Sequence, residues 1–391
     1  MIDLLNVRAD TPGVEHCIHL NNAGAALMPR PVLDAMTGYL GREAEIGGYE
    51  AAEEAHRRLD AVYTSVANLL GARPEEIALT ENATVAWQMA FYSFTFKPGD
   101  RILTASAEYA ANYVAFLHAA KTHGVEIDVV PNDDNGVLDP EALESMIDDR
   151  VRLIAITWVP TNGGLVNPAA EVGRIARRHG VPYLLDACQA AGQMPIDVDH
   201  LGCDMLTAPG RKFLRGPRGT GFLYVRQSLL AHLHPPVIDH FAAPWVEPDR
   251  YELRTDARRF ESWENNYAAR LGLGVAIDYA LALGLGHIEA RCQSLGMLLR
   301  AELQQLPGVH VYDLGPKPAA IVSFSIDGHP AETVRSILAE AGIHVSISRA
   351  SSTLLDATAR ALPTLIRASP HYYNREDEIF ALTERCRRLT C

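Results

Sequence analysis

Val181-Pro-Tyr-Leu-Leu-Asp186-Ala-Cys-Gln189-Ala-Ala-Gly192, followed one apolar run later by Ala208-Pro-Gly-Arg211-Lys212-Phe-Leu-Arg-Gly216-Pro-Arg-Gly219-Thr-Gly221-Phe-Leu-Tyr-Val225, decides the fold. Short β-rich apolar runs, here Tyr183 to Leu185 and Phe222 to Val225, show no polar alternation and so suit strands buried on both faces. Five more occur at Ile77 to Leu79, Arg101 to Thr104, Glu126 to Val130, Leu153 to Thr157 and Met205 to Thr207. Between them lie helical stretches, Thr84 to Phe94, Tyr109 to Thr122, Pro140 to Ile147 and Pro168 to His179, with stops at Pro98-Gly99-Asp100 and His123-Gly124. This alternation predicts an α/β domain whose mainly parallel, seven-stranded sheet is covered on both faces.

Beyond Arg258 to Asn266 the pattern changes to two long helices, Tyr267 to Leu283 and His287 to Leu306. Runs at Val309 to Tyr312, Ala320 to Ile326, His344 to Ser348 and Leu365 to Ala368 then alternate with helices, which predicts a small α+β domain. The expected division is 15–257 for the large domain, and 1–14 with 258–391 for the small one. Composition is that of a globular chain: 391 residues, 48% hydrophobic and 21% charged. A formal net charge of -13 without a basic cluster argues against nucleic acid or an anionic membrane as partner and leaves a small-molecule site. There is no apolar run of membrane-spanning length and no basic-then-apolar leader, so a soluble, cytoplasmic chain is expected. Six cysteines scattered without a CxxC predict reduced thiols, not disulfides.

Chemistry narrows quickly. Only four lysines occur, and Lys97, Lys121 and Lys317 stand in turns or at a helix end. Lys212 stands between a strand and a Gly/Pro-rich turn that leads into another strand, a rigid frame on which a nucleophilic amine or a salt-bridged structural lysine is equally at home. Arg211 beside it favours the neutral amine that imine formation needs. Asp186, at the carboxyl end of a buried strand, either caps a helix or faces a cation in the ligand-binding crevice of an open α/β sheet. An aspartate facing a pyridinium nitrogen upstream of a lysine is the arrangement pyridoxal phosphate requires. Thr80-Glu81-Asn82-Ala83-Thr84 ends a strand and opens a helix, which suits a phosphate or simply a capped helix. No GxGxxG follows a strand; Gly272-Leu273-Gly274 and Gly284-Leu285-Gly286 fall in or at the end of a helix. His232, His234 and His240 lack nearby Cys or paired carboxylates and are expected in a solvated loop, so no metal site is expected.

The ordered set Asn21-Asn22-Ala23-Gly24, Asn82-Ala83-Thr84, Glu108-Tyr109-Ala110-Ala111-Asn112, Asp186-x-x-Gln189, Arg211-Lys212 with Gly216-Pro217-x-Gly219-x-Gly221, and Arg367 before His371-Tyr372-Tyr373-Asn374 resembles the class V aminotransferase family across nearly the whole chain. Those are fold-type I pyridoxal phosphate enzymes and include cysteine desulfurases, isopenicillin N epimerase and cysteine C–S lyases. The resemblance implies that Lys212 is the Schiff-base lysine, Asp186 pairs with the pyridine nitrogen, Gln189 bonds the phenolic oxygen and Tyr109 stacks on the ring. It further implies that Ala83, Thr84 and Arg211 hold the phosphate, that Thr161 or Asn162 touches the cofactor, and that Asn22, Gly24 and Arg367 bind the substrate. Arg367 would clamp an α-carboxylate. A homodimer with its site at the subunit boundary is implied as well.

Two departures refine the expectation. Desulfurases carry a catalytic cysteine on a C-terminal loop, whereas His344-Val-Ser-Ile-Ser-Arg-Ala-Ser-Ser-Thr-Leu-Leu355 contains none. Arg258-Arg-Phe-Glu-Ser-Trp-Glu-Asn-Asn266 replaces their Gly-Thr-Pro turn and is similar to the branch of ergothioneine and lincosamide C–S lyases. The expected reaction is β-elimination from an S-substituted L-cysteine to a thiol, pyruvate and ammonia. Oxidative decarboxylation and deamination, transamination or epimerisation would use the same residues. Tyr49, Tyr113 and Trp263 are candidates for contact with the S-substituent.

Overall fold

The computed structural model describes residues 2–390, so of the six cysteines Cys391 lies outside the described residues and the other five are free thiols. A two-residue strand, β1 (Ile18–His19), precedes the helices Arg30–Ile46 and Gly48–Leu70, which meet at Gly47. The central sheet then forms from β2 (Ile77–Thr80), β3 (Arg101–Ala105), β4 (Glu126–Val130), β5 (Val151–Thr157), β6 (Tyr183–Asp186), β7 (Met205–Pro209) and β8 (Gly221–Val225). Its spatial order is β2-β8-β7-β6-β5-β3-β4, and only β8 runs antiparallel to its neighbours. The mainly parallel sheet of seven strands is therefore as the apolar runs predict.

Two cores sandwich this sheet. On one face Leu185, Leu206, Phe222 and Tyr224 pack with Val62, Val66, Val172 and Ile175; on the other Ile102, Leu184, Met205 and Leu223 pack with Trp87, Phe91 and Phe116. Truncating a buried aromatic such as Phe222 to alanine in such a core costs about 3–5 kcal/mol. A hairpin of β9 (Trp245–Glu247) and β10 (Arg250–Tyr251) projects from the surface. The C-terminal sheet orders β11 (Val309–Val311), β12 (Val322–Ile326), β15 (Leu365–Ala368) and β14 (Ser346–Ser348), all antiparallel, while β13 (Ile343–His344) pairs with β1.

The segment that follows the β9–β10 hairpin packs on the central sheet. Ala257 and Phe260 are buried among Trp87, Phe91 and Leu223, and the helix Tyr267–Leu283 places Leu273 and Ile277 in the core with Val62 and Phe222. Their apolar faces join the two cores that flank the central sheet. Among the described residues no single helix is long and apolar enough to cross a membrane.

Candidate active site

The carboxyl ends of β5, β6 and β7 open onto a cavity of about 420 Å³. Asn82, Ala83, Thr84, Tyr109, Thr161, Asp186, Cys188, Gln189, Arg211 and Lys212 line it. Sequence places these residues in five separate segments, and the crossover topology gathers them at one sheet edge.

Two glycines allow the gathering. Gly192 adopts φ +91° and a Cβ there would lie 2.3 Å from the Phe213 carbonyl carbon, so only glycine lets the turn after β6 close against the Lys212 loop. Gly221 begins β8 where a Cβ would lie 2.6 Å from the Asn82 carbonyl carbon, which brings the antiparallel strand against the helix Ala83–Phe91. The Asn82 side chain caps that helix at the Val85 N–H (2.9 Å). As the first two helical residues, Ala83 and Thr84 have N–H groups without intrahelical acceptors, a natural anion cradle.

Asp186 is 3% exposed, and its carboxylate accepts from Asn112 Nδ2 (2.9 Å) and from the Cys188 N–H (2.9 Å). Among the described residues it has no ion-pair partner, so a buried carboxyl group faces the cavity with only N–H dipoles behind it. Asn112 Nδ2 also donates to Glu108 (2.8 Å), whose carboxyl further accepts from the backbone N–H groups of Thr157 (2.8 Å) and Tyr109 (3.0 Å). Burial raises Glu108 to about 7, with Asp186 adding to the shift and the Thr157 hydrogen bond opposing it.

Burial lowers the Lys212 ammonium, Arg211 and Arg367 lower it further, and Cys188 and Asp186 oppose them. That favours the neutral amine. Arg211 gives one guanidinium nitrogen to the Gly24 carbonyl and turns the rest to the cavity. Arg367, on β15, is 7% exposed and held by Thr161 through its carbonyl (2.9 Å) and hydroxyl (2.8 Å), and burial brings it down to about 10. Arg211 on the cavity wall and Arg367, held by the wall residue Thr161, therefore bring two guanidinium groups to a cavity that also contains a carboxyl group, a field that attracts anions.

Several expected residues fall elsewhere. Asn22 is fully buried, donates to the Ser369 carbonyl (2.7 Å) and accepts from Tyr373 Oη (2.5 Å), so its amide is committed to the fold; its neighbour Asn21 faces Arg367 (3.5 Å). Gly24 acts through its carbonyl on Arg211. Asn162 points away from the cavity and latches the loop after β14: it donates to Thr353 Oγ1 (2.7 Å) and accepts from Ser348 Oγ. Tyr49 and Trp263 line a separate cavity of about 380 Å³ with Tyr63, Phe241 and Arg258, and Tyr113 packs on the Phe116 core. His240 lies beside the Trp263 ring at 5.2 Å between centroids.

Sequence reading passed over Cys188 and Arg215. The Cys188 thiol lines the cavity, and burial, reinforced by Asp186, pushes it well above the ordinary thiol range. Arg215, at φ 62° in the turn after Lys212, is 1% exposed and donates to Leu27 O (2.8 Å), Tyr372 Oη (2.8 Å) and Thr11 Oγ1 (2.6 Å). It pins the lysine turn to both ends of the chain.

These residues fit the cofactor that the resemblance implies. The cationless Asp186 suits a protonated ring nitrogen, the free N–H groups of Ala83 and Thr84 with Arg211 suit a phosphate, and the unpartnered Gln189 Oε1 marks unused polar capacity at the cavity wall.

Comparison with known proteins agrees with this geometry. The aminotransferase class-V model matches residues 18–382. A probable cysteine desulfurase of Methanothermobacter thermautotrophicus is 31% identical over 389 residues, covering 97% of this chain and 96% of that protein. A cysteine desulfurase of Yersinia pestis is 33% identical over 400 residues, with 98% and 97% covered. Among solved structures, a cysteine desulfurase of Thermococcus onnurineus superposes with a TM-score of 0.93 at 29% identity, covering 100% of this chain and 98% of that one. A cystine C–S lyase in complex with cysteine persulfide reaches 0.86 at 24% identity, with 96% and 98% covered, and shares the fold.

Proposed function

This chain belongs to the aminotransferase class-V family, and from that premise we propose that it is a pyridoxal-phosphate-dependent C–S β-lyase of S-substituted L-cysteines. The balanced reaction takes the cysteine conjugate and water to a thiol, pyruvate and ammonia. The cofactor, when bound, supplies an aldehyde that condenses with amines and a ring that accepts the electron pair released at Cα. Lys212 is positioned to hold the aldehyde and, as a neutral amine, to take the Cα proton. Asp186 would keep the ring nitrogen protonated, Ala83, Thr84 and Arg211 would hold the phosphate, Tyr109 would lie against the ring and Gln189 would bond its phenolic oxygen. Arg367, steadied by Thr161, orients the substrate carboxylate.

The observation that carries elimination over persulfide transfer is the loop at Ser346 to Thr353. It offers hydroxyls and no thiol, and Asn162 ties it down at Ser348 and Thr353. Cys188, the thiol that does line the cavity, is held protonated by burial and by Asp186 and is thus a poor nucleophile. The Phe260-Glu261-Ser262-Trp263-Glu264 segment supports the ergothioneine and lincosamide lyase branch as the nearest functional type. Exposed Tyr49, Trp245, Tyr251 and Trp263 support a homodimer, which sedimentation would test. Holoenzyme incubated with a panel of S-alkyl and S-aryl cysteines should release equal amounts of pyruvate and thiol. Oxygen uptake with carbon dioxide release, a keto-acid requirement, or persulfide without pyruvate would each replace this reading.

A further inference from the structure

Outside the lining of the catalytic cavity, Cys17, His19 and His344 converge. Strand alternation places Cys17 and His19 on one face, two residues apart. Parallel pairing of β1 with β13 sets His19 beside His344. The Cys17 sulfur and one ring nitrogen of each histidine lie within 4.8 Å of one another. His19 is already held as a ligand would be: its Nε2 lies 2.8 Å from the Ala25 carbonyl, which fixes the proton there and leaves the lone pair on Nδ1. That Nδ1 is buried and has no hydrogen-bond partner. A buried, unpartnered acceptor beside a thiol and a second imidazole has no structural use for the pairing of the strands.

We propose that Cys17, His19 and His344 bind one divalent cation of the zinc class across the seam between β1 and β13. One thiolate and two imidazoles are ligands of borderline softness and suit zinc, with solvent in the fourth position on the exposed His344 side. Zinc–nitrogen and zinc–sulfur bonds of about 2.0 and 2.3 Å separate ligand atoms in a tetrahedron by roughly 3.5 Å. Closure needs side-chain rotation of roughly 1 Å, for which partly exposed Cys17 and exposed His344 have room. Binding breaks the thiol S–H bond, sends its proton to solvent and forms the metal–sulfur bond, with no change in oxidation state. Through His19 and Ala25 the cation would also steady the turn at residues 21–26, where the Ala26 N–H meets the Arg211 carbonyl (2.9 Å).

Cobalt reports on such a site because its tetrahedral complexes absorb visibly and its thiolate bond adds a charge-transfer band. Metal-free holoenzyme titrated with Co2+ should bind one equivalent with tetrahedral bands that Zn2+ displaces. Cys17→Ser should remove the charge-transfer band, and His344→Ala should weaken binding by about tenfold or more. Zn2+ should raise the melting temperature of the unaltered protein and leave that of a variant carrying both Cys17→Ser and His344→Ala unmoved, with far-UV circular dichroism confirming that this variant is folded. Octahedral-type spectra, no stoichiometric binding, or equal affinity in the variants would overturn the assignment.

Discussion

Asp186 and Arg215 are both buried and, among the described residues, neither has an ion-pair partner, yet they lie in regions built to different ends. Asp186 has two N–H donors behind it and a cavity in front. Arg215 is enclosed: its guanidinium finds three oxygen acceptors and lies over the Tyr373 ring at 4.5 Å and the Tyr372 ring at 5.1 Å. A charge whose solvation is completed by the chain is a brace, and one left open towards a cavity is a site. The two are only a few residues from Lys212 in space or sequence, so substitution separates activity from stability.

The largest effect should come from the open side. Lys212→Ala should reduce product release by at least about 10³-fold, since it removes both the covalent anchor and the proton acceptor. The urea midpoint of that variant, measured without added cofactor, should stay near that of the parent. A proportional loss of stability would erase the contrast.

Arg215→Ala attacks the closed side. It strands the Thr11, Tyr372 and Leu27 oxygens and empties a buried volume, so a loss of about 3 kcal/mol or more in urea unfolding is expected. Activity at low temperature should persist in whatever fraction is folded. Tyr373→Phe is the milder form: removal of the hydroxyl that donates to Asn22 should cost about 1–2 kcal/mol and leave kcat/KM within a factor of two or so. A large drop in kcat/KM with unchanged stability would move Asn22 back to the substrate side.

How far these regions are legible in the sequence follows from the same distinction. Six of the central strands stand out as apolar runs that are largely buried, while the edge strand Glu126–Val130 is only partly so; Asp186 stands out as a charge closing such a run and Lys212 as one in the turn between two of them. The helices Arg30–Ile46 and Gly48–Leu70 do not stand out; the first buries only Val32 and Tyr39 along its whole length. Neighbouring polar pairs are harder still. Asn21 and Asn22, or Thr161 and Asn162, differ by one position, and in these turn segments no regular alternation tells which of the two side chains takes the site contact. Arg215 is illegible for another reason. In a Gly-, Pro- and Arg-rich turn it reads as a surface charge, and its partners Thr11, Leu27 and Tyr372 are remote in sequence.

The smallest expected effect lies behind the open side, at the carboxyl that shares the Asn112 amide with Asp186. Glu108 is joined to Asp186 through one Asn112 amide group, and two ionised carboxylates there would repel each other. Its carboxyl is raised from 4.5 to about 7 in the folded protein, so the folded state binds a proton more tightly than the unfolded chain. That contribution to stability is complete below pH 4.5 and is lost as pH rises through about 7. Glu108→Gln abolishes the titration but sets an NH2 group among the N–H donors of Tyr109, Thr157 and Asn112, so it should be somewhat less stable than the parent in acid. The gap in unfolding free energy between parent and Glu108→Gln should therefore be widest near pH 5 and narrow by pH 8. A gap that is flat across that window would mean that Glu108 stays ionised beside Asp186, and the open side would then contain two anions awaiting one cation.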